Sequence, residues 1–132
     1  MNVLYRERIL TCPRCEASLR STARRELWPC GACGGVAVDA HELARTIARY
    51  APTPDVLDLP AAASPSRALL CAACNLPMQP LELHGIRLDR CDRDRLVWLD
   101  AHQLDVMIDA AIADHEARKG WGQRLRDLLF AN

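Results

Sequence analysis

The chain has 132 residues with 17 Lys and Arg against 17 Asp and Glu, and half of its residues are hydrophobic. A net charge of zero excludes the global positive field of proteins that hold nucleic acid mainly by counterion release. The length suits one ordinary domain or two very small ones, and domains of about 50 residues usually need a metal, disulfides or oligomerisation to stay folded.

The seven cysteines are the most informative residues of the chain. Complete disulfide pairing would leave one thiol over, and the sequence shows neither an apolar leader nor an apolar run of membrane-spanning length. We therefore expect a reducing, cytoplasmic compartment and no membrane partner. In such a compartment, clustered cysteines are more often metal ligands than disulfide bridges.

The first half of the chain carries the spacing C-x2-C-x14-C-x2-C, formed by Cys12, Cys15, Cys30 and Cys33. Two residues between ligands let one tight turn direct both sulfurs to a single point, and a hairpin of this length returns the second pair to complete a tetrahedron. Two glycines, at 34 and 35, follow the last cysteine, where a turn around a thiolate needs positive φ. The pattern predicts zinc, with iron of the rubredoxin kind as the alternative.

A short strand, Val36–Val38, and a helix from about Ala40 to Tyr50 are predicted next. Asp39 fits the helix N-cap because Glu42 follows three residues later. Residues 51–67 then contain four prolines and three consecutive alanines, a composition that excludes a long helix or a central strand. This composition predicts a semi-extended linker.

The second half repeats the first, with Cys71, Cys74 and Cys91 in the corresponding positions and Asp94 in place of the fourth cysteine. Asp is an accepted zinc ligand, so three thiolates and one carboxylate could hold a metal. Three alternatives stay open for this site. It is completed by Asp94, it is completed by another side chain, or it is an empty, diverged copy. The other candidate ligands are His102, His84 and Asp92.

The turn at the fourth ligand of the second half is expected to differ from its counterpart, because Arg95 and Leu96 replace the two glycines. Asn75, which follows Cys74, still tolerates the left-handed conformation. His41 and His102 occupy the same position of the two repeats, and we interpret both as exposed residues of a first helical turn.

The remaining predicted elements of the second half follow from alternation and helical periodicity. His84-Gly85 reads as a two-residue hairpin turn, and Trp98 is expected to fill the larger hairpin of this half. Asp100 fits a second N-cap, and the glycines around Trp121 are expected to break the helix. The elements are strands at Leu81–Leu83, Ile86–Leu88 and Val97–Leu99, a helix from about Ala101 to Lys119, and a short helix at Gln123–Phe130.

Leu10–Cys15 together with Cys30–Leu43 resembles the zinc-ribbon domain named after transcription factor IIB, which is found in many short bacterial proteins. Leu70–Cys74, Cys91 and Val97–Leu104 resemble a second, diverged copy. The resemblance implies zinc binding and a small, metal-stabilised α+β fold of two tandem ribbons with a C-terminal helical extension. It implies a link to transcription only loosely, because fold is not function.

The predicted organisation has four parts. They are a first ribbon at 1–50, a Pro/Ala-rich linker at 51–68, a second ribbon with a long helix at 69–119, and a short C-terminal helix at 120–132.

The favoured function is a non-enzymatic module that uses structural zinc to present a surface to a macromolecular partner, which we expect to be a protein. The first alternative is local nucleic-acid binding through arginines of the first hairpin, namely Arg20, Arg24 and Arg25. The second alternative is a labile metal or redox sensor at the second site. The apolar last turn fits either packing against the ribbons or a homodimer through the C-terminal helices; its residues are Leu125, Leu128, Leu129 and Phe130.

Overall fold

The computed structural model describes residues 9–20, 26–62 and 68–130. It has the small α+β fold with two metal-type sites that the sequence predicts. The elements in chain order are β1 (Leu27–Pro29), β2 (Val36–Asp39), α1 (Ala40–Ala48), a 3-10 turn (Val56–Asp58), β3 (Gln79–Leu83), β4 (Ile86–Cys91), β5 (Leu96–Leu99) and α2 (Gln103–Phe130).

The strands of both repeats belong to one antiparallel sheet with the order β1-β2-β5-β4-β3. The repeats meet where β2 of the first pairs with β5 of the second, and Ala37 lies opposite Trp98, its counterpart in the repeat. Because Val36 pairs with Leu99 and Val38 with Val97, the pairing is symmetric about that rung. The two repeats are thus related by a pseudo-twofold axis through the middle of the sheet.

All four residues of β5 are buried, because β5 is the central strand and both faces of the sheet are covered. Val97 and Leu99 belong to the cluster beneath the two helices. Leu96 and Trp98 belong to a second cluster on the opposite face, which contains four of the cysteines. Successive side chains of a strand point to opposite faces of the sheet, so the residues of β5 enter the two apolar clusters in turn.

The hairpin between β3 and β4 confirms the predicted two-residue turn. Leu83 pairs with Ile86, and the residues between them, His84 and Gly85, have φ of 51° and 79°. Positive φ at both central positions is typical of the type I′ turn, whose twist matches that of the flanking strands.

The two helices start differently, although the sequence predicts the same Asp cap for both. In α1 the carboxylate of Asp39 accepts hydrogen bonds from the backbone amides of His41 and Glu42, as predicted. In the second repeat, the carboxylate of Asp100 is instead bonded to Arg14 and to the indole of Trp98. α2 therefore begins only at residue 103.

The structure also differs from the sequence prediction in the last part of the chain. α2 continues without a break from Gln103 to Phe130, through both Gly120 and Gly122. A glycine costs about 1 kcal/mol relative to alanine inside a helix but, unlike proline, keeps its backbone donor. The helix-forming residues on both sides are sufficient to carry the helix across the two glycines.

The described part of the predicted linker, residues 51–62, lies on the fold as a strap. Val56 is fully buried in the core beneath the helices. The buried guanidinium of Arg90 donates hydrogen bonds of 2.7 Å to the carbonyls of Val56 and Leu59. The prolines exclude a long helix here, but they do not prevent the segment from packing against the fold. The buried Val56 and the hydrogen bonds from Arg90 hold the strap in place.

Trp98 lies at the junction of the two repeats rather than inside the hairpin of the second. It is 2% exposed and packs in one cluster with Leu10, Leu19 and Trp28 of the first repeat. A Cβ built on Gly35 would overlap the six-membered ring of Trp98. Gly35 is therefore required by the close approach of this ring, not by its own backbone conformation.

Gly35→Ala is expected to lower the free energy of unfolding by about 1–3 kcal/mol, the usual cost of overpacking a core. Urea denaturation in the presence of zinc measures the change. Gly31→Ala is the matched control, because an added Cβ there meets only ordinary contacts with Arg20. An equal loss from Gly35→Ala in a Trp98→Leu background would show that the indole is not the cause.

Candidate metal centres

The four ligand pairs sit in four turns of the same design. In the first turn, the amide of Cys12 donates to Ala17 O at 2.8 Å and the amide of Glu16 donates to Cys12 O at 3.0 Å. The same two bonds recur in the turn of Cys71 and Cys74, where Cys71 donates to Leu76 and Asn75 donates to Cys71. In each turn, backbone hydrogen bonds thus join the first ligand residue to the residues that follow the second ligand.

The residue after the second ligand is left-handed in all four turns. The φ angles are 65° at Glu16, 82° at Gly34, 62° at Asn75 and 56° at Arg95. The structure confirms the expectation for Gly34 and Asn75. It differs from the expectation for the fourth turn, because Arg95 adopts the conformation of its glycine counterpart and the turn keeps its shape.

The first group brings together the sulfurs of Cys12, Cys15, Cys30 and Cys33, which all lie within 4.8 Å of one another. The Cys12 and Cys33 sulfurs are 3.6 Å apart, and those of Cys15 and Cys30 are 3.5 Å apart. Bonds of about 2.3 Å from zinc to sulfur put the corners of a tetrahedron about 3.8 Å apart. The four thiols therefore fit zinc, and none of them is in a disulfide.

The second group brings Asp94 together with Cys71, Cys74 and Cys91, again within 4.8 Å. The sulfurs of Cys74 and Cys91 are 3.7 Å apart, and Asp94 Oδ2 lies 3.6 Å from Cys71 Sγ and 3.8 Å from Cys91 Sγ. A tetrahedral zinc with one carboxylate oxygen gives sulfur–oxygen separations of about 3.6 Å. This donor set fits zinc as well as the first does.

The comparison with known families agrees with this geometry. The sequence model of the transcription factor zinc-finger family, the TFIIB-type zinc ribbon, matches residues 11–49 and again residues 70–110, together more than half of the chain. The chain belongs to the TFIIB-type zinc-ribbon family. Searches of curated proteins and of solved structures find no significant match.

The family and the two donor groups make the chain a zinc-binding module with two zinc ribbons, the second lacking one cysteine. Among the described residues, no helix combines the length and the apolar character that crossing a membrane requires.

Burial and backbone amides tune the ribbon thiols in opposite directions. Desolvation raises the pKa of Cys12 to about 12 and also raises the pKa of Cys71. The hydrogen bond from the backbone amide of Cys33 lowers the pKa of Cys30 to about 6. Because the thiols of Cys12 and Cys71 are protonated at neutral pH without a cation, zinc binding to these ribbons releases protons and weakens as the pH falls.

The structure does not bring the other candidate ligands into the second group. Asp92 bonds to Arg90 at 2.6 Å. His84 lies in the β3–β4 turn, where its ring nitrogens contact Thr53 Oγ1 at 3.0 Å and Asp114 Oδ2 at 2.8 Å. His102 is exposed just before α2. Of the four acidic and imidazole candidates, Asp94 alone shares the group with the cysteines.

A link between the ribbons runs from the first ligand turn to the end of β5, and the sequence reasoning missed it. Arg14 binds Asp100 through two hydrogen bonds of 2.9 Å, and the Trp98 indole donates to the same carboxylate at 2.9 Å. The guanidinium is the main reason that the pKa of Asp100 is lowered. The one available signal is that Arg14 has alanine as its counterpart, Ala73, while Trp98 has Ala37.

Two backbone bonds also cross between the ribbons, one near each metal group. The amide of Thr11 donates to Ala72 O at 3.1 Å, and the amide of Ala40 donates to Arg95 O at 2.9 Å. The left-handed Arg95 thus closes a ligand turn and caps the other ribbon's helix start.

Of the three arginines predicted to bind nucleic acid, the structure describes one. Arg20 is exposed next to Gly31 of the second ligand turn. Arg24 and Arg25 lie outside the described residues.

Arg95→Gly is expected to raise the free energy of unfolding of the zinc-loaded chain by about 0.5–1 kcal/mol. A residue with a Cβ in the left-handed conformation costs about 1–2 kcal/mol, and glycine removes this cost. Part of the gain is lost because glycine increases the conformational entropy of the unfolded chain. Gly34→Ala is the opposite case, because it places a Cβ at φ 82° and 3.2 Å from Ala101 Cβ, and it should destabilise. Urea midpoints in excess zinc measure both, and a stabilising Gly34→Ala would contradict the account.

Proposed function

We propose that the chain is a non-enzymatic zinc module in which two structural zinc ions hold one shared sheet and present its surface to a macromolecular partner. The observation that carries the proposal is that each group offers four protein donors close enough together to surround one ion. A catalytic zinc site keeps one position for water or substrate, whereas a structural site is closed by four protein ligands. Four protein donors at each site therefore favour a structural role of the zinc over a catalytic role.

In this proposal Asp94 is the fourth ligand of the second ribbon. Its oxygen stands in the place of the missing sulfur, and the backbone amide of Asp94 donates to Cys91 Sγ at 3.4 Å, as the amide of Cys33 does to Cys30. Zinc, when bound, supplies a cross-link between the two turns of each ribbon. The turns themselves orient the ligands and cover the buried sulfurs.

The exposure of the ligands favours a structural second site over a labile sensor. Cys15 and Cys33 of the first group are exposed, whereas Cys74 and Asp94 of the second are only partly exposed. In a labile sensor the carboxylate of Asp94 would have to dissociate from the metal. That carboxylate is more shielded from solvent than the exposed thiols of Cys15 and Cys33. The family to which the chain belongs supports a transcription-related role, and free cysteines are typical of a reducing, cytoplasmic compartment. We propose a protein as the partner; nucleic-acid binding by the first hairpin stays the alternative prediction.

Asp94→Ala is expected to reduce the zinc content from two ions per chain to one. Elemental analysis of protein purified without added zinc measures the content. Asp92→Ala is the matched control, because that carboxylate is exposed and bonded to Arg90 outside the group. It should retain both ions.

Two ions in Asp94→Ala would contradict the ligand assignment. One ion in the unsubstituted chain, unaffected by Asp94→Ala, would mean that the second ribbon holds no metal. Recovery of the second ion in Asp94→Cys would confirm that the turn positions a ligand.

A further inference from the structure

The second half of α2 extends beyond the body of the fold. The side chains of α2 that pack on the core are Leu104, Met107, Ile108 and Ala111, all in its first three turns. Beyond them Leu125, Leu128 and Leu129 are 47%, 77% and 73% exposed. A helical segment of this length with two glycines is marginal by itself in water. It therefore needs a surface to cover its leucines.

A mostly apolar stripe runs along one face of α2, with spacings close to the helical repeat. The residues of its first half are small apart from a valine at the start, and those of its second half are large. Val106 is 48% exposed, Ala110 is half-buried, and Ala113 and Ala117 are exposed. The stripe consists of Val106, Ala110, Ala113, Ala117 and Leu128; Leu125 lies at its edge, and Arg124, about five turns after Val106, lies on the same face.

The charges of α2 are divided in the same way as the side-chain sizes. Residues 103–116 contain four acidic residues and no Lys or Arg, whereas residues 117–130 contain four basic residues and one acidic residue. The helix dipole favours such a division only within the first and last turns. Here the sign changes between Glu116 and Arg118, in the middle of the helix, so a second cause is needed.

We propose that a second copy of the chain covers this face, with the two α2 helices antiparallel and related by a twofold axis at Ala117. The large residues of each copy then meet the small residues of the other, and its basic half meets an acidic half. A parallel pair would instead place like charges side by side, which is destabilising. A twofold interface of this kind closes on itself and gives a dimer.

An axis at Ala117 determines which residues face one another. Leu128 of one copy lies opposite Val106 of the other, and Leu125 lies opposite Ala110. Arg124 lies opposite Asp109. The proposal does not rest on the metal content of either ribbon.

The test uses the full chain in sedimentation equilibrium. The unsubstituted chain should be a dimer, and Leu128→Glu should raise its dissociation constant at least about tenfold. Arg124→Glu and Asp109→Arg should each weaken the dimer in the same way, and the double variant should restore it, because the pair is exchanged across the interface. Lys119→Glu is the control for charge, since it makes the same change outside the stripe.

Three results would overturn the proposal. They are a monomer at about 0.1 mM, a dimer that Leu128→Glu leaves intact, and a double variant no tighter than its single variants. A monomer that binds vesicles containing anionic lipid through residues 117–130 would assign the same face to a membrane surface instead. Near-unchanged zinc content in all variants separates these outcomes from any failure of the metal sites.

Discussion

The antiparallel pairing of β2 with β5 is the interaction on which the rest of the structure depends. It joins two repeats of about 50 residues, each too small to bury a sufficient core alone. Because of this pairing β5 is covered on both faces, by helices on one side and by the ligand turns on the other. The metal groups therefore stabilise a common sheet rather than two separate ribbons.

The framework is symmetric, but its side chains are not. Trp98 is opposite Ala37 at the axis, so a single indole fills the space that two equal residues would share. That indole requires Gly35 and draws Asp100 into a network with Arg14. Asp100 is then lost as a helix cap, and α2 starts later than α1. One large residue at the axis thus accounts for several differences between the repeats.

Features determined by local spacing could be predicted from the sequence. The ligand turns follow from C-x2-C and the tolerance of Gly34 and Asn75 for positive φ. The β3–β4 turn follows from His84-Gly85, and the start of α1 follows from the Asp39 cap. Each of these depends on contacts within a few residues, where residue type restricts the backbone directly.

Features determined by distant contacts could not be predicted in this way. The pairing of β2 with β5 and the position of Trp98 both depend on contacts between the repeats, so the sequence of one repeat alone does not indicate them. The strap depends on Arg90, more than thirty residues from the carbonyls that it binds. Likewise, the persistence of α2 through Gly120 shows that a modest local cost is outweighed by the residues on both sides.

The most direct test of this account is amide hydrogen exchange in a zinc-loaded Cys33→Ala chain, in which the first metal group is incomplete. If the shared sheet is one cooperative unit, protection should fall in β3, β4 and β5 as well as in β1 and β2. Loss of protection confined to β1 and β2, with β5 unchanged, would contradict it and would mean that the second ribbon is stable without the first.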